Sequence, residues 1–406
     1  MRVWFWIVMA GGVAARAATS ATPVYHQDVA PLLAKYCLGC HREGGLGRIP
    51  LDRYDRAKRY APEIRLNVGT RNMPPWKAIP GHGRFRQNRS LSVREIETIL
   101  QWTDGGTPEG SAPTESGAPS PRTPEWTLGE PDLVIRTPRY QLPATGYPES
   151  RCFRVALDRN QSAFVRALDV RPGQRQSVAH VRVFAAPPRP PGAKASFDCA
   201  EQMEDLLERT SLGEWSAGSP VAELPAGIAR LLPARRELMV EIRYHRLGRP
   251  VEDQTEIGFY WAPGGASRIV RTLAVTNRGF VIPAGAWDFR VTAQWTTAKA
   301  IRILTVAPHL GRLGTEMRVT VTKPGQSAEP LVWVREWDRH WQMAYEFADA
   351  ILLPAGTIIE AAALFNNTTD NFHLGDDEPR EARWGWGPRD ERLIAFLEYV
   401  DEPTPP

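Results

Sequence analysis

The sequence predicts a multidomain fold in which an all-α N-terminal domain precedes an all-β region of two sandwiches. Three observations predict it. The chain has 406 residues, more than the roughly 250 to 300 at which a single hydrophobic core stops growing. Helical periodicity is confined to residues 22–106 and strand alternation fills residues 125–403. Between them, residues 107–124 are dense in Pro, Ser, Gly and Thr with almost no large apolar side chain, the composition of a semi-flexible tether.

The chain opens with Arg2, an apolar run from Val3 to Ala15, and small residues in which Ala15-Arg16-Ala17 fits an A-x-A cleavage site. Residues 1–21 therefore read as an export signal. An uncleaved membrane anchor is the other reading, but the run is shorter than the roughly 20 apolar residues a spanning helix needs. The mature chain is expected to be soluble, not membrane-spanning, and periplasmic or otherwise exported, where disulfides persist. A hydrophobic fraction of 42% with 24% charged residues suits a soluble globular protein. Basic and acidic side chains nearly balance at 50 against 46, and no basic run of the kind that tracks nucleic acid is present.

In the helical region Val29, Leu32, Leu33 and Tyr36 recur at i, i+3, i+4 and i+7 behind a capping Asp28. This is an amphipathic helix. It ends at Cys37-Leu38-Gly39-Cys40-His41, the C-x-x-C-H form of covalent haem attachment, in which both thiols add to vinyl groups and the adjacent imidazole reaches the iron. Zinc would require two more soft ligands, and this region has no other cysteine; a redox dithiol has no use for the histidine. A second helix is bounded by a Ser92/Glu95 capping box and by Gly105-Gly106, with Ile96, Ile99 and Leu100 on one stripe. For the sixth iron ligand, Met73 is the sole methionine between Cys40 and the end of this region. It stands in Arg71-Asn72-Met73-Pro74-Pro75-Trp76, where two prolines stiffen the loop. His26 and His82 are the alternatives.

Beyond the tether, Leu238, Val240, Ile242 and Tyr244 share one strand face, as do Trp287, Phe289 and Val291, then Ile301 and Ile303, then Met317, Val319 and Val321. Turn signals such as Arg171-Pro172-Gly173 and Lys323-Pro324-Gly325 separate such runs. Short strands over this length predict two sandwiches side by side. Cys152 and Cys199, isolated from the first pair, read as one structural disulfide, with two buried free thiols as the other reading.

From about residue 24 to residue 400 the chain resembles a bacterial family in which a cytochrome c domain is fused to a copper type II, ascorbate-dependent monooxygenase-like module. That module is similar to peptidylglycine α-hydroxylating monooxygenase and dopamine β-monooxygenase. The resemblance is carried by Asp28-Val29-Ala30-Pro31-Leu32-Leu33, the haem motif, Met73-Pro74-Pro75-Trp76 and Asp104-Gly105-Gly106-Thr107-Pro108. In the β region it is carried by Gly129-Glu130-Pro131-Asp132, Arg166-Ala167-Leu168-Asp169, Ala307-Pro308-His309 and Arg383-Trp384-Gly385-Trp386-Gly387.

The resemblance implies an all-α cytochrome c domain over 22–106 followed by a double jelly roll over 125–275 and 276–403, with one copper in each half. Where the family has a His-His pair this chain has Ala179-His180; where His precedes Tyr it has Arg243-Tyr244-His245; where it has His-x-His this chain has His309-Leu310-Gly311. The distal methionine falls on Arg392 or Leu393. His180, His245 and His309 are thus the residual copper ligands, with His245 on the same strand face as Arg243 and about 7 Å along from it. Arg243 and Arg392 would oppose copper, because a guanidinium stays protonated and cannot ligate a metal. Cys152 and Cys199 sit where the family keeps a cysteine pair.

The expected function is exported electron transfer by haem c held at Cys37, Cys40, His41 and Met73, fused to a module that has lost most copper ligands and serves binding or scaffolding. The electron partner is a redox protein or a small-molecule donor. One alternative is an active copper-dependent monooxygenase hydroxylating a C–H bond with electrons from its own haem. Another is a structural subunit of a larger redox complex.

Overall fold

The computed structural model describes residues 22–112, 126–146, 149–189, 191–202, 210–339, 341–375, 377–387 and 389–403. The expected export signal lies outside the described residues, as does the tether from residue 113 to residue 124.

Four α-helices occur among the described residues: α1 Ala30–Tyr36, α2 Tyr54–Arg59, α3 Ala61–Gly69 and α4 Val93–Asp104. A π-helical turn, Tyr25–Val29, leads into α1, whose Pro31 falls in the first turn, where a missing N–H costs nothing. Helix α4 carries both bonds of its capping box: the Glu95 amide donates to Ser92 Oγ (3.2 Å) and the Ser92 amide to Glu95 Oε2 (2.8 Å). Its Ile99 and Trp102 bury against Leu33, Ile64 and Val68 to form a small core. The described start of the tether is pinned there too, since the Tyr25 and His26 amides donate to the carbonyls of Pro108 and Glu109.

These helices do not make the all-α cytochrome c domain expected over residues 22–106, and that fold class is corrected. The chain is mostly β, with 22 strands against four short helices among the described residues. The physical reason lies between α3 and α4. Pro74, Pro75 and Pro80 keep that segment out of helix, and it crosses onto the second sandwich as a strap. Ala78 bridges Val334 and Phe85 bridges Phe347. The Ile79 amide donates to the Trp333 carbonyl and the Arg86 amide to the Glu346 carbonyl, both at 2.8 Å. Ala78 is buried in the sandwich core, and the rings of Trp76 and Phe85 lie 5.0 and 5.2 Å from Tyr345.

Each β half is a pair of packed sheets. Counting the eight main strands of each half in chain order, the sheets run 1-8-3-6 and 2-7-4-5, the jelly-roll order. In the first half, Leu133–Arg136, Glu256–Trp261, Ala163–Arg171 and Ile228–Leu232 face Glu149–Val155, Glu237–Tyr244, Val178–Ala186 and Ser211–Ser216. The second half sets Arg271–Thr276, Leu393–Asp401, Ile301–Leu310 and Tyr345–Leu353 against Phe289–Thr296, Ile358–Phe365, Gly314–Thr322 and Glu329–Arg335. Side-chain alternation decides what faces the core. Leu238, Val240, Ile242 and Tyr244 fill the first core, while Met239 on the opposite face packs on Cys152 and Cys199. Met317, Val319 and Val321 fill the second, but Trp287 lies before its strand and is exposed.

Cys152 and Cys199 form a disulfide with Cα atoms 4.9 Å apart, closing a separation of 47 residues. Both are buried. Replacing Cys152 by serine is expected to lower unfolding free energy by roughly 2 to 5 kcal/mol, because the open loop gains conformational freedom when unfolded. Urea midpoints of the two proteins check this; equal midpoints contradict it.

Candidate cofactor site

Helix α1 ends on Cys37, and the chain then turns tightly: the Cys40 and His41 amides both donate to the Cys37 carbonyl (3.1 and 2.8 Å). This turn brings the two thiols and the imidazole to one wall of a cavity of about 320 Å³. Met73 reaches the same cavity from the end of α3, where its amide donates to the Asn67 carbonyl (3.0 Å). Leu33, Ile64 and Val68 supply apolar wall. His26 and His82, the alternative iron ligands, do not line it. His26 packs on Tyr25 and Tyr54 beside Glu109, and His82 lies against Trp333 on the second sandwich.

The His41 ring is fixed by its neighbours. Its Nδ1 lies 2.9 Å from the Ile49 carbonyl oxygen, which can only accept, so Nδ1 is the donor of this pair and Nε2 is the ring nitrogen left for another partner. Gly47 passes directly beneath the ring: a Cβ there would sit 2.6 Å from Nδ1. A Gly47→Ala change is therefore expected to displace the imidazole and weaken any ligand held at Nε2, read as a shift in the visible spectrum if that ligand is haem iron. An unchanged spectrum would show that the ring has room.

The Cys37–His41 segment docks on the first sandwich. Cys40 Sγ donates to the Ala217 carbonyl (3.3 Å), and Gly218, at φ +74°, comes so near that a Cβ would meet that sulfur at 2.5 Å. Burial pushes the Cys37 thiol up to about 12, with the neighbouring Cys40 adding to it and Arg89 opposing. Burial also raises Cys40, against the charges of Arg89 and Arg42. Two such thiols stay protonated at neutral pH and are poor thiolate ligands or redox dithiols, whereas a thioether carries no charge to desolvate.

The sandwiches close the cavity with Gln176, His245, Arg246 and Trp341. The sequence gives no sign of this. His245 follows the last residue of the strand Glu237–Tyr244, so the expectation that it shares Arg243's strand face is corrected by the strand's end. His180 and His309 instead line a second cavity, of about 270 Å³, between the sandwiches. The three residual copper candidates are thus divided between two cavities. Among the described residues no three of His, Cys, Asp and Glu are grouped to hold a metal. A bulge between Val178 and His180 sets His180 opposite Arg243, and its Nε2 lies 3.6 Å from Glu214. His309 is buried, and burial together with Arg392, Arg182 and Arg243 holds its pKa well below the usual imidazole range.

No known protein family and no curated protein matches the chain. Among solved structures with detectable similarity, infectious bursal disease virus VP2 subviral particle overlaps 67% of this chain and 72% of its own at 8% identity and a TM-score of 0.20. The major capsid protein P2 from bacteriophage PM2 overlaps 67% of this chain and 98% of its own at 9% identity and a TM-score of 0.25. PNGF-II overlaps 67% of this chain and 60% of its own at 8% identity and a TM-score of 0.24. Overlaps this loose carry no argument about fold or function.

No helix among the described residues is long and apolar enough to cross a membrane.

Proposed function

We propose that the chain is an exported c-type haem protein for electron transfer, with haem c joined to Cys37 and Cys40 and its iron ligated by His41 and Met73. One observation carries the reading: all four side chains line a single cavity with apolar wall, and the His41 ring is tethered through Nδ1. Haem bound there would supply a one-electron couple, tuned by burial and by hydrogen bonds around the site. The two cysteines would anchor it, His41 and Met73, which both line the cavity, would supply Nε2 and the thioether, and Arg246 and Trp341 from the sandwiches would help wall off water. The disulfide is compatible with an oxidising, exported location. The electron partner is a redox protein or a small-molecule donor.

Ligation by Met73 predicts a weak red absorption band, from sulfur-to-iron charge transfer, in the oxidised protein. It should vanish in Met73→Leu; persistence would remove Met73 from the site.

The β halves are read as a binding or scaffold module with residual rather than working copper sites. The rival, an active copper-dependent monooxygenase, is disfavoured by the separation of His245 from His180 and His309 and by the guanidinium groups beside the latter two. Reconstitution with copper and dialysis should leave less than one tightly held copper per chain. Two equivalents together with substrate-dependent oxygen uptake would overturn this.

A further inference from the structure

The cavity between the sandwiches is lined by arginines that do not all have carboxylate partners. Three of its arginines meet carboxylates: Arg86 lies 3.3 Å from Glu346, Arg230 lies 2.6 Å from Glu398, and Arg182 grips Glu241 in a forked contact. Two more arginines line the cavity and meet no carboxylate among the described residues: Arg89 donates to Ser219 Oγ (3.0 Å), and Arg243 Nη1 donates only to the Arg339 carbonyl (3.1 Å). Glu241 acts on Arg243 through space but is already engaged by Arg182, while Arg182, Arg339 and Arg392 add like charge. Taking a guanidinium out of water without a counter-ion is costly. A charge so placed is ready for an anion.

One further polar atom of this cavity lacks a partner. Gln342 Oε1 is buried and accepts no hydrogen bond among the described residues, whereas His180 Nε2 is placed 3.6 Å from the Glu214 carboxylate. Gln342 Nε2 donates to the same Arg339 carbonyl (3.0 Å) that Arg243 uses. Its orphaned oxygen therefore belongs to the same corner as the Arg243 guanidinium, and it asks for a donor. Phe184, Trp215, Leu304, Phe347 and Phe396 give the rest of the wall an apolar, aromatic character.

We propose that this cavity binds a small organic hydroxy acid with an apolar body. Arg243 takes the carboxylate through its planar fork of donors. The hydroxyl satisfies Gln342 Oε1, and the hydrophobic body lies on the aromatic wall. This site does not depend on haem in the neighbouring cavity.

Calorimetric titration of the full-length chain tests it, with mandelate as the probe and mandelamide and inorganic phosphate as comparisons. Mandelate should bind at least tenfold more tightly than either. Arg243→Met should lose at least tenfold in mandelate affinity, and Arg243→Lys should fall between. Gln342→Glu supplies a carboxylate from the chain itself; it should raise the melting temperature and abolish mandelate binding, which keeps the test sharp if Arg243→Met does not fold. Absence of mandelate binding, equal affinity for mandelamide, or unchanged mandelate affinity in a folded Arg243→Met would overturn the proposal.

Discussion

Changing Cys37 and Cys40 together to serine is expected to remove essentially all covalent pigment from protein made in a host that matures c-type haem. A serine hydroxyl forms no thioether, so nothing holds the macrocycle through denaturation. Each single variant retains one thiol and should keep a reduced, single-bonded fraction. The β halves do not depend on these sulfurs, since the two large cores draw their residues from elsewhere. The double variant should therefore show unchanged far-ultraviolet circular dichroism. The docked motif adds a constraint on order. Cys37 is half-buried, Cys40 is buried against Ala217 and Gly218, and burial holds both thiols protonated. Attachment should precede docking, and haem added to already folded protein should be linked far more slowly than haem supplied during maturation.

The second large effect is at Glu391, a fully buried residue next to the C-terminal strand Leu393–Asp401. Its Oε1 accepts from the Leu313 amide (3.0 Å), and its Oε2 has no hydrogen-bond partner among the described residues. Burial raises its pKa to about 7, against the Leu313 amide and the Arg392 charge, which lower it. The folded pKa lies above the ordinary carboxylate value of 4.5. The folded state thus binds the proton more tightly than the unfolded chain, so stability is greatest below that value and is lost as pH rises toward 7. A difference of this size corresponds to roughly 3 kcal/mol above pH 7. Glu391→Gln keeps the acceptor for Leu313 and removes the charge. It is expected to match the parent at pH 4 and to exceed it by roughly 3 kcal/mol at pH 8 in urea titrations. A variant less stable than the parent at pH 8 would show that the charge is paid for by Arg392.

Local structure was legible where the signal was local. Ser92 and Glu95 lie three apart and form both bonds of their box, and the alternation from Leu238 to Tyr244 points those four side chains into one core. Adjacency in the motif was enough to place Cys37, Cys40 and His41 at a helix end. What escaped depends on partners far along the chain. Ala78 and Phe85 belong to no periodic run, and their pairing with Val334 and Phe347 is what ties the helices to the second sandwich and removes an independent all-α domain. The bulge at Ala179 and the strand end at Tyr244 send His180 and His245 to different cavities, which residue spacing alone does not encode. Arg243 read as a lost ligand because its identity is visible in sequence, whereas its missing counter-ion is visible only once Arg182 and Glu241 are paired.

The most direct measurement is extraction of the purified full-length chain, made in a maturation-competent host, with acidified acetone, alongside iron analysis. One iron per chain with the red colour remaining in the protein precipitate is the result required by thioether attachment. Colourless protein, or pigment passing wholly into the solvent, would contradict it.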